Sequence, residues 1–225
     1  MVSSAPTAEV CLGAFRGSIS YSKFHVRGAQ PEGADESPAA QAERFVEAIR
    51  MRAFRELDPL EEIDHRVGWC SIENPFDLDL QHEKIFFNGY VNLGLRVDTW
   101  RIPGSLFKAS FREAERAFLA KQGSEKLTRS QKKNLEAMVT RTLRQKVVPA
   151  MNVIDLSWSL GDGVVRFFHP SPKRHEVLTE LFEKTFELQL AHDGAYLAAE
   201  KRGLDEAVLA SLPLLDPMTL VGGTA

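Results

Sequence analysis

Between Arg101 and Lys146 the sequence reads as two basic helices bracketed by strands, and this order restricts the fold more than any other feature. Pro103 stands where a proline is tolerated at a helix start. Phe107, Phe111, Ala114 and Phe118 follow at the i, i+4, i+7, i+11 spacing of a helix that buries one face. Gly123 is a natural stop. The second helix opens at Thr128, with Gln131 three residues later in the capping-box arrangement. Its apolar stripe is Leu135, Met138, Val139 and Thr142, with Leu143 at the margin, and Pro149 ends it. Upstream, residues 84–102 form the longest strand-like region, with Ile85, Phe87, Val91, Leu93, Leu95 and Val97 at odd parity. Downstream, residues 153–160 and 164–168 read as a hairpin turned by Gly161-Asp162-Gly163.

The rest of the chain fits around this block. Residues 1–10 read as a flexible leader, and a first strand is expected within residues 12–26 on Phe15, Ile19, Tyr21 and Phe24. Residues 28–38 are rich in Gly, Pro, Ala and acids and read as a mobile loop. A helix then carries Phe45, Ala48, Ile49 and Arg52, with Pro59 stopping anything beyond Leu57. Residues 67–72 read as a short strand, and an acidic connection follows over residues 77–83. Ser171-Pro172 opens a helix whose inner face holds Val177, Leu178, Leu181, Phe182, Thr185 and Phe186. After Leu190 the pattern weakens; residues 191–225 read as a weakly structured extension with one short helix near residues 203–212. The sum predicts an α+β fold over residues 11–190, an antiparallel sheet with amphipathic helices packed on it, including a long basic helix pair.

Charge is unevenly placed. The helix pair holds twelve basic residues (Arg101, Lys108, Arg112, Arg116, Lys121, Lys126, Arg129, Lys132, Lys133, Arg141, Arg144 and Lys146) against four glutamates, which makes it +8. The 225-residue chain is −3 in total, so the remainder carries −11. A field concentrated on one face attracts a polyanion even when the total charge is negative. On a helical wheel Arg129, Lys133 and Arg144 fall within about 60° of one another, with Lys132 flanking one side and Arg141 the other. Lys126, Arg129, Lys132, Lys133, Arg141, Arg144 and Lys146 are therefore the candidate nucleic-acid contacts. Such contacts reach phosphate oxygens and carry no sequence information.

Other chemistries find little footing. None of His25, His65, His82, His169, His175 and His192 pairs with another at i, i+3 or i+4. Cys11 and Cys70 match no metal spacing and no disulfide framework. Gly161-x-Gly163 lacks the lysine of a phosphate loop, and no serine lies in a GxSxG context. Trp69, Trp100 and Trp158 sit in or beside strand-like runs and read as packing residues rather than base-stacking platforms. No metal, cofactor or catalytic group is expected. The start of the chain lacks a basic-then-apolar signal pattern, and no apolar stretch nears the ~20 residues of a membrane span, so the expectation is a cytoplasmic protein without a membrane partner.

The order of elements resembles the recombination-associated RdgC-type proteins of bacteria. The matching features are Phe45-x8-Phe54, Gly68-Trp69, Ile102-Pro103-x-Ser105-x2-Lys108, Lys121-Gln122-Gly123 and the run from Lys126 to Lys133. Leu143-Arg144, Pro149, Ile154-Asp155, a hairpin and a helix starting near Pro172 complete the likeness, which covers roughly residues 12–190. The resemblance implies a short, C-terminally reduced member: a non-enzymatic, nucleoid-associated protein that binds DNA without sequence preference, forms a homodimer and restrains a RecA-type recombinase. It places DNA contacts at Lys126, Arg129, Lys132, Lys133 and Arg144. The alternative is a protein-interaction or self-assembly module that keeps the fold without DNA binding, using the acidic remainder and the apolar residues Leu212, Leu214, Leu215, Met218 and Leu220.

Overall fold

The computed structural model describes residues 20–28 and 37–214. Seven strands form one sheet: β1 (Ser22–Arg27), β2 (His65–Cys70), β3 (Phe86–Phe87), β4 (Tyr90–Thr99), β5 (Ala150–Ser159), β6 (Val164–Phe167) and β7 (Gln189–His192). The order is β2-β4-β5-β6-β1-β7, with β3 paired to β4, and every strand pair is antiparallel. Among the described residues seven α-helices accompany it: α1 (Pro38–Met51), α2 (His82–Ile85), α3 (Gly104–Gln122), α4 (Arg129–Arg144), α5 (Pro172–Phe186), α6 (Ala195–Lys201) and α7 (Glu206–Ser211). The fold is α+β.

Alternation along the strands gives the sheet two different faces. One is apolar: Phe24, Trp69, Val91, Leu93, Leu95, Ile154, Leu156, Trp158, Val165 and Phe167 are buried there beneath α1 and α5. Phe45 of α1 and Phe182 and Phe186 of α5 close around Trp158, with ring centroids 5.1–5.3 Å apart. The Trp69 indole Nε1 donates to Thr185 Oγ1 at 2.9 Å, which gives this buried polar tip a partner.

The opposite face of the sheet buries a polar cluster that includes Arg96, Asp98 and Asp155. Arg96 donates from Nε to Asp98 Oδ1 at 3.0 Å and from Nη2 to Oδ2 at 2.6 Å, a bidentate fork two residues apart on β4. Its Nη1 donates to the Pro75 carbonyl, and the guanidinium lies 4.0 Å from the Phe54 ring centroid. Beside it, Cys70 is fully buried; burial pushes its thiol up to about 12, with Arg96 pulling the other way.

Several boundaries differ from the sequence reading. α1 ends at Met51 instead of running toward Leu57. The Arg52 carbonyl accepts from Trp69 N–H at 3.0 Å and Phe54 N–H donates to the Trp69 carbonyl at 2.8 Å, so sheet bonds replace the next helical turn. A Cβ at Gly68 would lie 2.4 Å from Phe54 Cα, so only glycine lets the backbones meet this closely. The expected strand over residues 84–102 is broken by a turn at Asn88 (φ 48) and Gly89 (φ 78), which folds β3 back on β4. The expected first strand appears as β1, and the part of that expectation before Ser20 lies outside the described residues, as do residues 1–10, most of the 28–38 loop and Leu215, Met218 and Leu220.

Beyond Leu190 the chain still builds regular structure. β7 pairs with β1 in the register Phe24↔His192, and α6 buries Leu197 and Ala199. Lys201 Nζ donates to His25 Nδ1 at 2.6 Å, His25 Nε2 lies 3.1 Å from Asp193 Oδ1, and Arg27 pairs with Glu200. These ties join α6 to β1. Both elements are too short for a periodic pattern to reveal them.

Candidate nucleic-acid interface

β4 and β5 are sheet neighbours, with Thr99 opposite Ala150, so residues 100–149 leave and re-enter the sheet at one point. They form a helical hairpin, here called the arm. α3 and α4 pack on each other, and among the described residues no other element shares a comparable contact with either. The basic pair therefore projects from the sheet instead of lying across it.

Local chemistry explains both ends of the arm. Gly123 adopts the left-handed conformation at φ 65 and closes α3 through its N–H to the Leu119 carbonyl. Thr128 and Gln131 form the capping box: Gln131 N–H donates to Thr128 Oγ1 at 3.3 Å, and Thr128 N–H to Gln131 Oε1 at 2.9 Å. Gln131 also donates to Gln122 at 3.1 Å, which stitches the two helices together at the tip. At the root, Arg144 donates to the Glu61 carbonyl at 2.8 Å and pairs with Asp64 in the loop before β2.

The arm's apolar seam is thinner than the sequence suggests. On α4 the buried apolar residues are Leu135, Val139 and Leu143, so the stripe turns toward Leu143 and away from Met138, which is 55% exposed. No residue of α3 is buried; Phe107, Phe111 and Phe118 are half-covered. Two helices whose apolar faces meet chiefly each other leave a margin of each seam in water.

The structure sorts the predicted contacts into groups. Lys126, Arg129, Lys132 and Lys133 gather at the tip, all exposed. Arg141, also exposed, stands near the root on the outward side of α4. Arg144 and Lys146 belong to the root, roughly 20 Å from the tip at 1.5 Å rise per residue. Arg144 departs from the solvent-facing strip drawn for it: it is 8% exposed and its guanidinium is engaged by Asp64 and Glu61. Burial and an ion pair remove it from a phosphate-facing set. Lys146 is exposed but borders the groove that Ser110, Ala114, Ala117, Met138 and Thr142 line between the helices.

Helical spacing adds residues that the sequence reading did not select. Lys108 and Arg112 on α3, and Arg129 and Lys133 on α4, are i, i+4 pairs on the side of the arm away from that groove. Arg116 continues the α3 series outward, and Glu115 and Glu136 share the same side. The Lys108-x3-Arg112-x3-Arg116 repeat was the available signal. Among the described residues, none of these exposed arm cations makes an ion pair with a carboxylate. Neither α3 nor α4 has an acid in its first turn, so Arg129 and Lys132 sit unopposed at the positive end of the α4 dipole, with Lys133 just behind them.

Elsewhere, no group of three or more His, Cys, Asp or Glu side chains among the described residues is arranged to hold a metal ion. No helix among the described residues is long and apolar enough to cross a membrane. No family model and no curated protein sequence matches this chain.

Proposed function

We propose that this is a non-enzymatic DNA-binding protein that grips the phosphate backbone without sequence preference and acts in recombination or its restraint, as the RdgC-type resemblance implies. One observation carries the reading: exposed cations without a carboxylate partner among the described residues cluster on an arm that projects from the sheet. Two of them, Arg129 and Lys132, occupy the first turn at the positive end of α4, where each costs its helix about 0.3–1 kcal/mol. Such a local cost is offset when a polyanion docks. The same reading assigns the protein to the nucleoid, as a homodimer, with a RecA-type recombinase as partner.

Fluorescence anisotropy with a labelled duplex at two ionic strengths tests it. If four to six arm cations each neutralise a phosphate, log affinity falls against log salt with a slope of about −4 to −5. Absence of binding at low salt removes the proposal.

A second reading, a protein-interaction or self-assembly module, draws on the half-covered Phe107, Phe111 and Phe118 of α3. Light scattering tests it: a monomer at all concentrations argues against assembly through the arm, and equally against the homodimer of the first reading.

A further inference from the structure

β2 is an edge strand, and its outer side is only partly occupied. The chain leaving α1 makes a single parallel bridge, Ala53 to Trp69, and then departs. Trp69 points its N–H and carbonyl outward to Arg52 and Phe54. Backbone direction alternates with period two, so Val67 and His65 point theirs outward as well. Among the described residues no backbone group beyond the sheet pairs with either. A cleft of about 430 Å³ opens at this edge, lined by Arg52, Arg55, Val67, Val177, Leu181 and Lys184 among others. Its lining sets Val67, Val177 and Leu181 among polar groups, with the cations in excess over one carboxylate, Glu180. Arg52 and Arg55 are exposed and have no carboxylate partner among the described residues, whereas Lys184 is paired with Glu180.

We propose that this cleft binds an extended acidic peptide segment of a partner protein, added as a strand along β2. Strand addition supplies a donor and an acceptor for each outward Val67 and His65 group, and alternate side chains supply specificity. A segment alternating acidic and apolar residues meets Arg52 and Arg55 with its carboxylates and Val67, Val177 and Leu181 with its apolar side chains, Glu180 being already paired with Lys184. A second copy fits poorly, because pairing two β2 edges sets Arg52 and Arg55 against their own equivalents. Nucleic acid fits poorly too, since a phosphodiester backbone offers no donor to the Val67 carbonyl.

The test uses the full chain and a short fluorescein-labelled peptide of alternating glutamate and valine, titrated by anisotropy. Binding is expected to weaken roughly tenfold or more when the peptide is N-methylated along the edge that pairs with β2, and to persist when the other edge is methylated. This comparison needs no altered protein. Arg52→Glu with Arg55→Glu, checked for folding by circular dichroism, is expected to weaken the unmodified peptide by a similar factor. Absence of binding, or binding indifferent to methylation on both edges, overturns the proposal. An oligothymidylate that competes with the peptide and loses affinity in the same double variant also overturns it and assigns the cleft to nucleic acid. DNA binding by the arm is measured separately with Arg129→Ala and Lys133→Ala, so the two proposals fail independently.

Discussion

Arg144 donates to the Asp64 carboxylate across 80 residues of sequence, and a second nitrogen of the same guanidinium donates to the Glu61 carbonyl at 2.8 Å. This fork fixes the last turn of α4 to the loop entering β2. A side chain so engaged orients the arm and is not presented to a ligand on its surface.

Arg144→Met is therefore expected to leave the salt slope of DNA binding unchanged. Arg129→Ala with Lys133→Ala is expected to reduce that slope by about 1.8, since each lost phosphate contact removes about 0.9. Anisotropy titrations across a salt series measure both. A reduced slope for Arg144→Met alone would return that residue to the contact set.

Gly68→Ala is expected to destabilise the fold by about 1–3 kcal/mol, because the added methyl meets Phe54 backbone atoms that cannot swing aside. Urea unfolding followed by tryptophan fluorescence reports the loss, with Trp69 beside the site. An unchanged midpoint would show that the chain beyond α1 shifts freely.

Asp193 gives the β1–β7 edge an acid-sensitive tie. Burial raises its carboxyl, but hydrogen bonds to His25 and Lys23 outweigh that and hold it below the usual aspartate range. A group depressed in the folded state stabilises at pH above its unfolded value, and that contribution disappears as pH falls through the folded value. The contribution is thus full at neutral pH and is lost only in the acid range. Asp193→Asn is expected to flatten the acid limb of stability against pH, measured by thermal unfolding between pH 7 and pH 2.

Cys70 is expected to resist thiol reagents in the native state, since it is fully buried and its thiol is pushed up to about 12. In a Cys11→Ser background, reaction at pH 8 should appear only as denaturant unfolds the sheet. Rapid native labelling would contradict the buried setting.

Periodicity and capping made the main elements legible in advance. Thr128 with Gln131 marked the start of α4, Gly123 the end of α3, and the odd-parity residues of β4 the apolar face of the sheet. The misses have physical causes. Asn88-Gly89 is a strong hairpin signal, yet the apolar parity on both sides of it reads as one continuous strand. α1 obeys helical spacing through Arg52, but a long-range pairing with Trp69 takes over at that residue, and no local pattern announces it. In the candidate interface, the wheel placed Arg144 beside Arg129 and Lys133 and had no means of showing Asp64, which arrives from a distant loop.

The arm begins and ends at neighbouring positions, Thr99 and Ala150, on adjacent strands of one ladder. Such a graft point lets helices be lengthened, shortened by whole turns or replaced by a tight turn while the ladder beneath keeps its hydrogen bonds. The reach of the projection can therefore vary while the ladder beneath stays whole, provided the last turn that carries Arg144 is kept.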